Sequence, residues 1–261
     1  MPDYDTLQLD RDGDVLTITL DAGPHNGLDP DMTADLHRVA VSLHDEDPAR
    51  AVVLTHDGDV FSAGADLTAF EGDESDAPYV REMAGELHEA VLQFHRAPVP
   101  IVAGVDGVAA GAGFSLAIFA DLLVLSEDAR LEYAYHRIGL TGDGGSTFFL
   151  PRLVGLRRAK EILLLDEPIA PDEAVDLGLA TEVVAGEEFD ERLAELAADL
   201  AAGPTHAYGT TARLMTESFD RSLETQLAEE TAAIADATHT EDFARGHAAF
   251  FGDGPPTFVG R

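Results

Sequence analysis

The segment that most constrains this chain is Ile101 to Gly113, IVAGVDGVAAGAG, which runs straight into FSLAIFADLLVLS. Ile101 to Val105 is an apolar run of strand length, and Gly107, Gly111 and Gly113 then fall within seven residues. The apolar stretch beyond them is long enough for a helix and a further strand. A glycine-dense turn at the mouth of a helix lets main chain approach a ligand closely. It also leaves the first-turn N–H groups of the helix without intrahelical acceptors, at the positive end of the helix dipole. Such a turn can hold a phosphate, or an oxygen that becomes negative during a reaction.

The rest of the chain supplies matching elements. Tyr4 to Leu9 and Val15 to Leu20 alternate apolar and polar residues on either side of Asp12-Gly13, which predicts a hairpin. Pro30 lies near a helix start, and Met32, Leu36, Val39, Ala40 and Leu43 recur on one helical face. Asp45 to Pro48 is expected to end that helix. Ala51 to Thr55 reads as a buried strand, and a glycine-rich loop, HDGDVFSAGAD, follows it from His56 to Asp66. Met83, Leu87, Ala90, Val91 and Phe94 mark a second amphipathic helix, closed by Ala97-Pro98. Leu122 to Leu125 and Leu131 to Tyr133 read as strands, and Gly139 to Gly145, GLTGDGG, is a third glycine-rich loop. Leu153, Leu156, Ala159, Ile162 and Leu163 are expected to share a helical face. A helix from Pro171 and a strand from Thr181 to Val184 complete an alternating strand–helix pattern, which predicts an α/β class with parallel pairing. From Glu187 onward the chain is helical and rich in alanine, with breaks near Gly203-Pro204 and Thr238. No internal repeat is evident in the sequence. The expected division is a core over 1–185 and a helical region over 186–261.

Charge narrows the partners. The formal net charge is −34 and the sequence pI is about 4.3, with Lys160 the single lysine. The acidic residues are spread over the whole length, as on a folded protein with an acidic coat rather than one with an acidic tail. Self-repulsion of this size destabilises a compact state unless salt screens it, so a high-salt cytoplasm is expected. The same field argues against nucleic acid as a partner. No apolar run approaches the ~18 residues of a membrane span. The first residues, MPDYDTLQLD, lack the basic and apolar regions of a signal peptide. The chain has no cysteine, hence no disulfide, thiolate metal site or cysteine nucleophile. Its histidines show no ligand spacing, and no metal is expected.

Three separated segments resemble the crotonase, or enoyl-CoA hydratase/isomerase, superfamily: Val52 to Leu67 (VVLTHDGDVFSAGADL), Ile101 to Leu131, and Arg137 to Val184. The stretch EDFARGHAAFF, Glu241 to Phe251, is similar to the family's last helix. The resemblance implies a crotonase-like ββα spiral core with a helical C-terminal oligomerisation region, assembled as a homotrimer or a dimer of trimers. It also implies an acyl-CoA thioester substrate, with coenzyme A arriving as part of that substrate and no separate cofactor. Two backbone N–H groups would hold the thioester oxygen as it becomes an enolate; by motif position these are Ala63 in FSAGAD and Ala112 in GAG. Ala65, Asp66, Leu67, Gly111 and Tyr135 are implied in CoA or substrate binding. His25, in GPHNGL, and Thr68 stand where basic residues that meet the CoA phosphates are common. For Asp66 a helix cap is an alternative role, and for Gly111 and Gly113 close packing of helix on strand is another.

The carboxylates depart from the hydratase pattern. The two glutamates that deliver water in hydratases would fall at Ser115 and Tyr135, and neither position carries one. A carboxylate appears instead at Asp143, in TGDGGST, where the sequence resembles the isomerase branch, including epoxyphenylacetyl-CoA isomerase-like members. One carboxylate beside an oxyanion hole suits proton transfer between carbons without addition of water. The alternative for Asp143 is a helix N-cap, and carboxylate bonds to helix N–H groups would make it a poor base. The expected activity is an acyl-CoA isomerase with Asp143 as its acid/base. An enoyl-CoA hydratase with atypical residues and a non-catalytic acyl-CoA-binding subunit are the alternatives. Phe70, Phe119, Phe148 and Phe149 are candidate pocket walls or ordinary core, and Tyr133, Tyr135 and His136 are polar candidates near the acyl chain.

Overall fold

The computed structural model describes residues 4–44, 49–252 and 254–261. The helix end expected at Asp45–Pro48 lies outside the described residues. The chain opens with an antiparallel hairpin, β1 (Leu7–Asp12) and β2 (Val15–Leu20), closed by a two-residue turn in which Gly13 takes a φ of +59°. Helix α1 (Pro30–Ser42) begins where Asp29 accepts the Met32 N–H at 2.8 Å. All five residues of its expected apolar face are buried. It packs along α2 (Ala77–Arg96), whose own expected face, Met83 to Phe94, is buried as well.

Between and beyond these helices the same unit recurs three times: a strand, a tight turn, and a short strand that enters a second sheet. The pairs are β3 (Ala51–His56) with β4 (Val60–Ser62), β5 (Ile101–Val105) with β6 (Val108–Ala110), and β7 (Leu122–Ser126) with β8 (Arg130–Glu132). Helix α3 (Ala112–Ile118) follows β6. After β8 comes a 3₁₀ turn, Tyr135–Ile138, then α4 (Ser146–Leu165), α5 (Pro171–Asp176) and β9 (Glu182–Val184). The larger sheet has the order β1-β2-β3-β5-β7-β9, parallel from β2 onward, and the smaller is a parallel sheet in the order β4-β6-β8. The repeat is therefore one of structure, carried by sequences that share little beyond a polar turn between apolar strands. A strand, a helix and a strand were expected from Ile101 onward; the structure inserts β6 between Gly107 and Gly111, a strand too short to leave a periodic signal.

Side chains alternate across the larger sheet. Val52, Leu54, Ile101, Ala103, Leu123 and Leu125 face the main core, shared with α1, α2 and α3. Val53, Val102 and Val124 face the other way, onto Phe189, Leu193 and Ala197 of α6 (Phe189–Ala201). The chain then forms α7 (Thr205–Glu217), α8 (Leu223–Ala237) and α9 (Glu241–Phe250). The expected breaks near Gly203-Pro204 and Thr238 fall between helices; a third, between Glu217 and Leu223, has no glycine or proline to announce it. The shared face expected in α4 is split. Gly155 has a φ of +76° inside it, so Leu153 and Leu156 are exposed while Ala159 and Ile162 are buried.

Candidate active site

The strands of the smaller sheet lead into the elements of the site: β4 into the FSAGAD loop, β6 into α3 and β8 into the turn at Tyr135. Gly113, in the first turn of α3, lies against β4 so closely that any side chain there would collide with the Ser62 carbonyl oxygen. That contact seats the start of the helix on the FSAGAD loop. Gly64 abuts it from the loop side: with a φ of +91°, an added Cβ would lie 3.0 Å from the Ala110 oxygen and 3.1 Å from the Ala112 nitrogen. Ala112 is the first helical residue, so its N–H has no intrahelical acceptor, and Gly111 before it offers no side-chain cap. Gly111 itself donates its N–H to the Glu132 oxygen at 3.1 Å.

The FSAGAD loop corrects one expectation. The Ala63 N–H donates to the His25 carbonyl at 2.9 Å, so it is already engaged rather than free for a thioester oxygen. Ala65 is different. It pairs with Leu28 as an isolated parallel bridge, made by Leu28 N–H to Gly64 oxygen and Asp66 N–H to Leu28 oxygen, both 2.8 Å. In that pattern the bonds come from Ala65's neighbours, and Ala65's own N–H points away from Leu28. Among the described residues it has no protein acceptor. Asp66 caps the 3₁₀ turn Leu67–Ala69 by accepting the Thr68 N–H at 2.9 Å. The Thr68 N–H and hydroxyl hold its carboxyl below the usual carboxylate range. Leu67 is exposed beside it, as are Thr68 and His25, whose carbonyl is the part that the fold uses.

On the opposite side, the structure brings together the three positions that the sequence sets against the hydratase pattern. Tyr135 donates its hydroxyl to Asp143 Oδ1 at 2.6 Å. Ser115, fully buried on α3, lies 3.1 Å from that hydroxyl and donates to the Asp143 carbonyl oxygen at 2.9 Å. Burial pushes the Tyr135 hydroxyl far above its usual range, and the Asp143 carboxylate adds to the rise, so Tyr135 stays a proton donor at any working pH. A charge-assisted bond of this kind contributes about 1.5–3 kcal/mol. The N-cap alternative for Asp143 is not what forms: Gly145 is the cap residue of α4, with no side-chain cap bond, and the Ser146 N–H goes to the Asp143 main-chain oxygen. Both carboxylate oxygens therefore face side chains, Tyr135 on one and His88 of α2 on the other, at 3.8 Å from Nε2. His88 Nε2 also accepts the Gly144 N–H at 3.3 Å, which makes that nitrogen a lone-pair acceptor in this arrangement.

His88 was not singled out from sequence, because Gly144 lies 56 residues later and no periodicity links them. Asp166 was missed for the same reason. It holds the turn that aims Tyr135: its Oδ1 accepts the Ala134 N–H at 2.8 Å while Ala134 sits at a φ of +60°, a conformation unusual for alanine. Arg137 ties Asp166 to the buried Glu132, which Arg130 also meets. Tyr133 lies under Tyr135, its ring 5.0 Å away; burial raises its hydroxyl as well, and the Gly142 N–H donates to it. His136 is exposed and meets only the edge of the Tyr133 ring. Of the candidate walls, Phe119 is core, stacked on Phe94, and Phe70 packs edge-on against Tyr79. Phe148 and Phe149 form a cluster with His95 at the start of α4. Two cavities, of about 530 and 390 Å³, open elsewhere, one against Arg50 and Phe258 and the other beside α7 and α9. Their linings hold none of the polar groups described above. Among the described residues no group of three or more His, Cys, Asp or Glu side chains could hold a metal ion. None of the described helices is long and apolar enough to cross a membrane.

Two main-chain N–H groups without a protein acceptor among the described residues, at Ala65 and Ala112, and a carboxylate held by side chains, at Asp143, are thus the groups this region offers. The sequence signature of the enoyl-CoA hydratase/isomerase family matches residues 10–261, and the chain belongs to that family. It is 35% identical over 265 residues to "Probable enoyl-CoA hydratase" of Rhodobacter capsulatus, covering 99% of each chain. It is 34% identical over 202 residues, 77% of this chain and 73% of the relative, to 4-chlorobenzoyl coenzyme A dehalogenase-2 of an Arthrobacter species. It is 30% identical to 1,2-epoxyphenylacetyl-CoA isomerase of Escherichia coli K12, over 95% of each. The crystal structure of an enoyl-CoA hydratase/isomerase from Cupriavidus metallidurans CH34 matches 98% of this chain and 97% of its own, with a TM-score of 0.90 and 31% identity.

Proposed function

We propose that this protein is an acyl-CoA isomerase, in which the thioester oxygen is held by the N–H groups of Ala65 and Ala112 and Asp143 moves the proton. The observation that carries the reading is the Asp143 carboxylate, bonded by Tyr135 at 2.6 Å and free of helix N–H groups. Ala65 replaces Ala63 in this role because the Ala63 N–H is engaged by His25. The two N–H groups stabilise the enolate oxygen and so acidify the carbon next to, or conjugated with, the thioester. Asp143 removes a proton from one carbon and returns it to another, giving a double-bond shift or the opening of a strained ring. With serine at position 115 and tyrosine at position 135, neither of these two positions supplies a second carboxylate to activate water.

A second reading has its own observation. A histidine nitrogen 3.8 Å from a carboxylate is also the pair needed for nucleophilic displacement. Asp143 would displace a leaving group from an acyl-CoA to form an ester, and His88 would take a proton from the water that hydrolyses it. The dehalogenase relatives support that reading, and the epoxide-isomerase relative supports the first.

CoA enters as part of the substrate, without a separate cofactor, and the loop carrying Ala65, Asp66 and Leu67, with Gly111 and Tyr135, lines its path. His25 is an exposed candidate near the phosphates. Leu223, Leu227, Ile234, Phe250 and Phe251 stand exposed on and beside α8 and α9, which supports burial of those helices in a homotrimer or a dimer of trimers. The charge of −34 supports a cytoplasm of high salt and gives nucleic acid no purchase. The test is a product screen in molar KCl with a straight-chain 3-enoyl-CoA, crotonyl-CoA, an aryl-acetyl-CoA epoxide and a halobenzoyl-CoA. A shifted double bond or a rearranged epoxide is expected. Halide release moves the assignment to displacement, hydration of crotonyl-CoA moves it to hydratase, and binding without reaction to a silent acyl-CoA-binding subunit.

A further inference from the structure

Among the described residues, only three that are not glycine have a positive φ: Asn26 at +42°, Ala134 at +60° and Asp166 at +51°. Backbone in this region persists only where surrounding bonds over-determine it, and it gathers at functional sites. Asn26 supports the main-chain half of the site. It is buried, its amide donates to the Asp57 and Val60 oxygens, and its carbonyl accepts the Ser62 hydroxyl. The other two are bonded to each other beside the side-chain half: the Ala134 N–H donates to Asp166 Oδ1 at 2.8 Å. Asp166 closes α4, and its side chain is 11% exposed. Its Oδ2 accepts from Arg137 Nε at 3.0 Å, and Arg137 also meets the buried Glu132 carboxylate. Glu132 in turn accepts the Gly111 N–H at its main-chain oxygen, one residue before Ala112. Ala134 immediately precedes Tyr135, whose N–H bonds the Tyr133 oxygen at 2.8 Å and whose hydroxyl meets Asp143 Oδ1 at 2.6 Å. The φ of Ala134 therefore governs where that hydroxyl arrives.

We propose that Asp166 is a positioning residue for Tyr135: by accepting the Ala134 N–H it keeps that alanine at positive φ, and so sets the point at which the Tyr135 hydroxyl meets Asp143. The proposal rests on the reading of Asp143 as the reacting group. The acceptor oxygen of Asp166 does the holding, and its charge is secondary, because Arg137 keeps Glu132 as a partner whatever stands at 166. A role confined to the end of α4 would not call for this side chain. The cap bond there is made by main chain, Asp166 N–H to the Ile162 oxygen, and glycine is the residue that such a left-handed helix end favours.

The experiment compares Asp166→Gly and Asp166→Asn, alone and combined with Tyr135→Phe, with Asp143→Asn alongside. Each is checked for an unchanged far-ultraviolet spectrum and run in the assay that wild type satisfies. Asp166→Gly removes the side chain without straining the end of α4, and is expected to lower kcat about 10-fold with KM unchanged, as the aim of the tyrosine loosens. Asp166→Asn keeps an oxygen for the Ala134 N–H and tolerates a positive φ, so its kcat is expected within about 2-fold of wild type. With Tyr135→Phe in place, Asp166→Gly is expected to lower kcat no further, because both act through one hydroxyl. The crystal structure of Asp166→Gly is expected to show that hydroxyl out of hydrogen-bond reach of Asp143 Oδ1. Wild-type kcat in Asp166→Gly, equal losses in the glycine and asparagine variants, or losses that multiply with Tyr135→Phe overturn the proposal; an inactive Asp143→Asn then leaves the role of Asp143 standing. Turnover retained by Asp143→Asn overturns the reading of Asp143, and the position of the Tyr135 hydroxyl in the Asp166→Gly crystal then decides whether Asp166 sets it.

Discussion

The two halves of the site are built from different materials. The half at Ala65 and Ala112 offers main-chain N–H groups, and its side chains are methyl groups that a substrate oxygen need not touch. The half at Ser115, Tyr135, Asp143 and His88 offers side chains, held by hydrogen bonds among themselves and to the main chain of Asp143 and Gly144. Main-chain donors are set by how strands and turns pair, so substitutions act on them only by bending the backbone. Side-chain donors are lost whole when one residue changes. The first half should therefore resist most alanine-sized replacements and yield sharply at glycine, and the second should yield at nearly every position.

The sharpest break in that comparison is expected at Asp143. Asp143→Asn keeps the shape of the side chain and its bond to Tyr135 but cannot take a proton. Loss of turnover by about 10²–10⁴-fold is expected in steady-state assays, with affinity for a CoA thioester preserved by calorimetry. Next comes Gly64→Ala. Its Cβ would press on the Ala110 oxygen and the Ala112 nitrogen at a φ of +91°, turning the Ala65 peptide. A fall in kcat of about 100-fold, the scale of losing one oxyanion donor, is expected. Ala63→Ser in the same assay should change kcat less than about 2-fold, because the Ala63 N–H serves His25 and not the substrate. Equal losses at 63 and 64 would mean that the loop acts as a whole, and the assignment of Ala65 would fall.

Tyr135→Phe probes the side-chain half more gently. It removes one donor to the Asp143 carboxylate, and a fall in kcat of about 10-fold, the scale of one such bond, is expected in steady-state assays. Burial keeps the Tyr135 hydroxyl protonated, so its own ionisation should leave no alkaline limb that the phenylalanine variant removes. An unchanged kcat would place the Tyr135 bond outside the reaction. The smallest effect is expected at Asp66→Ala, which removes the cap of the turn at Leu67. It should cost about 1 kcal/mol of stability by denaturant titration and change kcat little, since the Ala65 amide is fixed by main-chain bonds to Leu28 and not by the Asp66 carboxylate.

The same contrast explains what could be read from the chain alone. The apolar faces of α1 and α2 were legible because a period near 3.6 survives in Met32 to Leu43 and in Met83 to Phe94. Strand β6 was not, since three residues between two glycines carry no period. The face drawn through Leu153 and Leu156 ignored Gly155, whose backbone breaks the register. In the site, the side-chain half was legible as a set of exceptions: serine and tyrosine where a hydratase pattern asks for two glutamates, and an aspartate eight residues beyond the tyrosine. The main-chain half was legible only to within two residues. FSAGAD marks the loop, but which amide points inward depends on Leu28, from another part of the chain, pairing beside Ala65. His88 and Asp166 had no signal at all, because each acquires its role only when α2 and the end of α4 fold against the Tyr135–Asp143 turn.

The claim beneath all of this is that Asp143 exchanges protons with the acyl chain of a thioester whose oxygen is held by main chain. It is tested most directly by incubating the protein with a 3-enoyl-CoA in D₂O and molar KCl and following the acyl protons by NMR. The account predicts deuterium entering the acyl chain as the double bond moves, with no hydroxy product, and no such exchange with Asp143→Asn. Exchange at an undiminished rate in Asp143→Asn would contradict it.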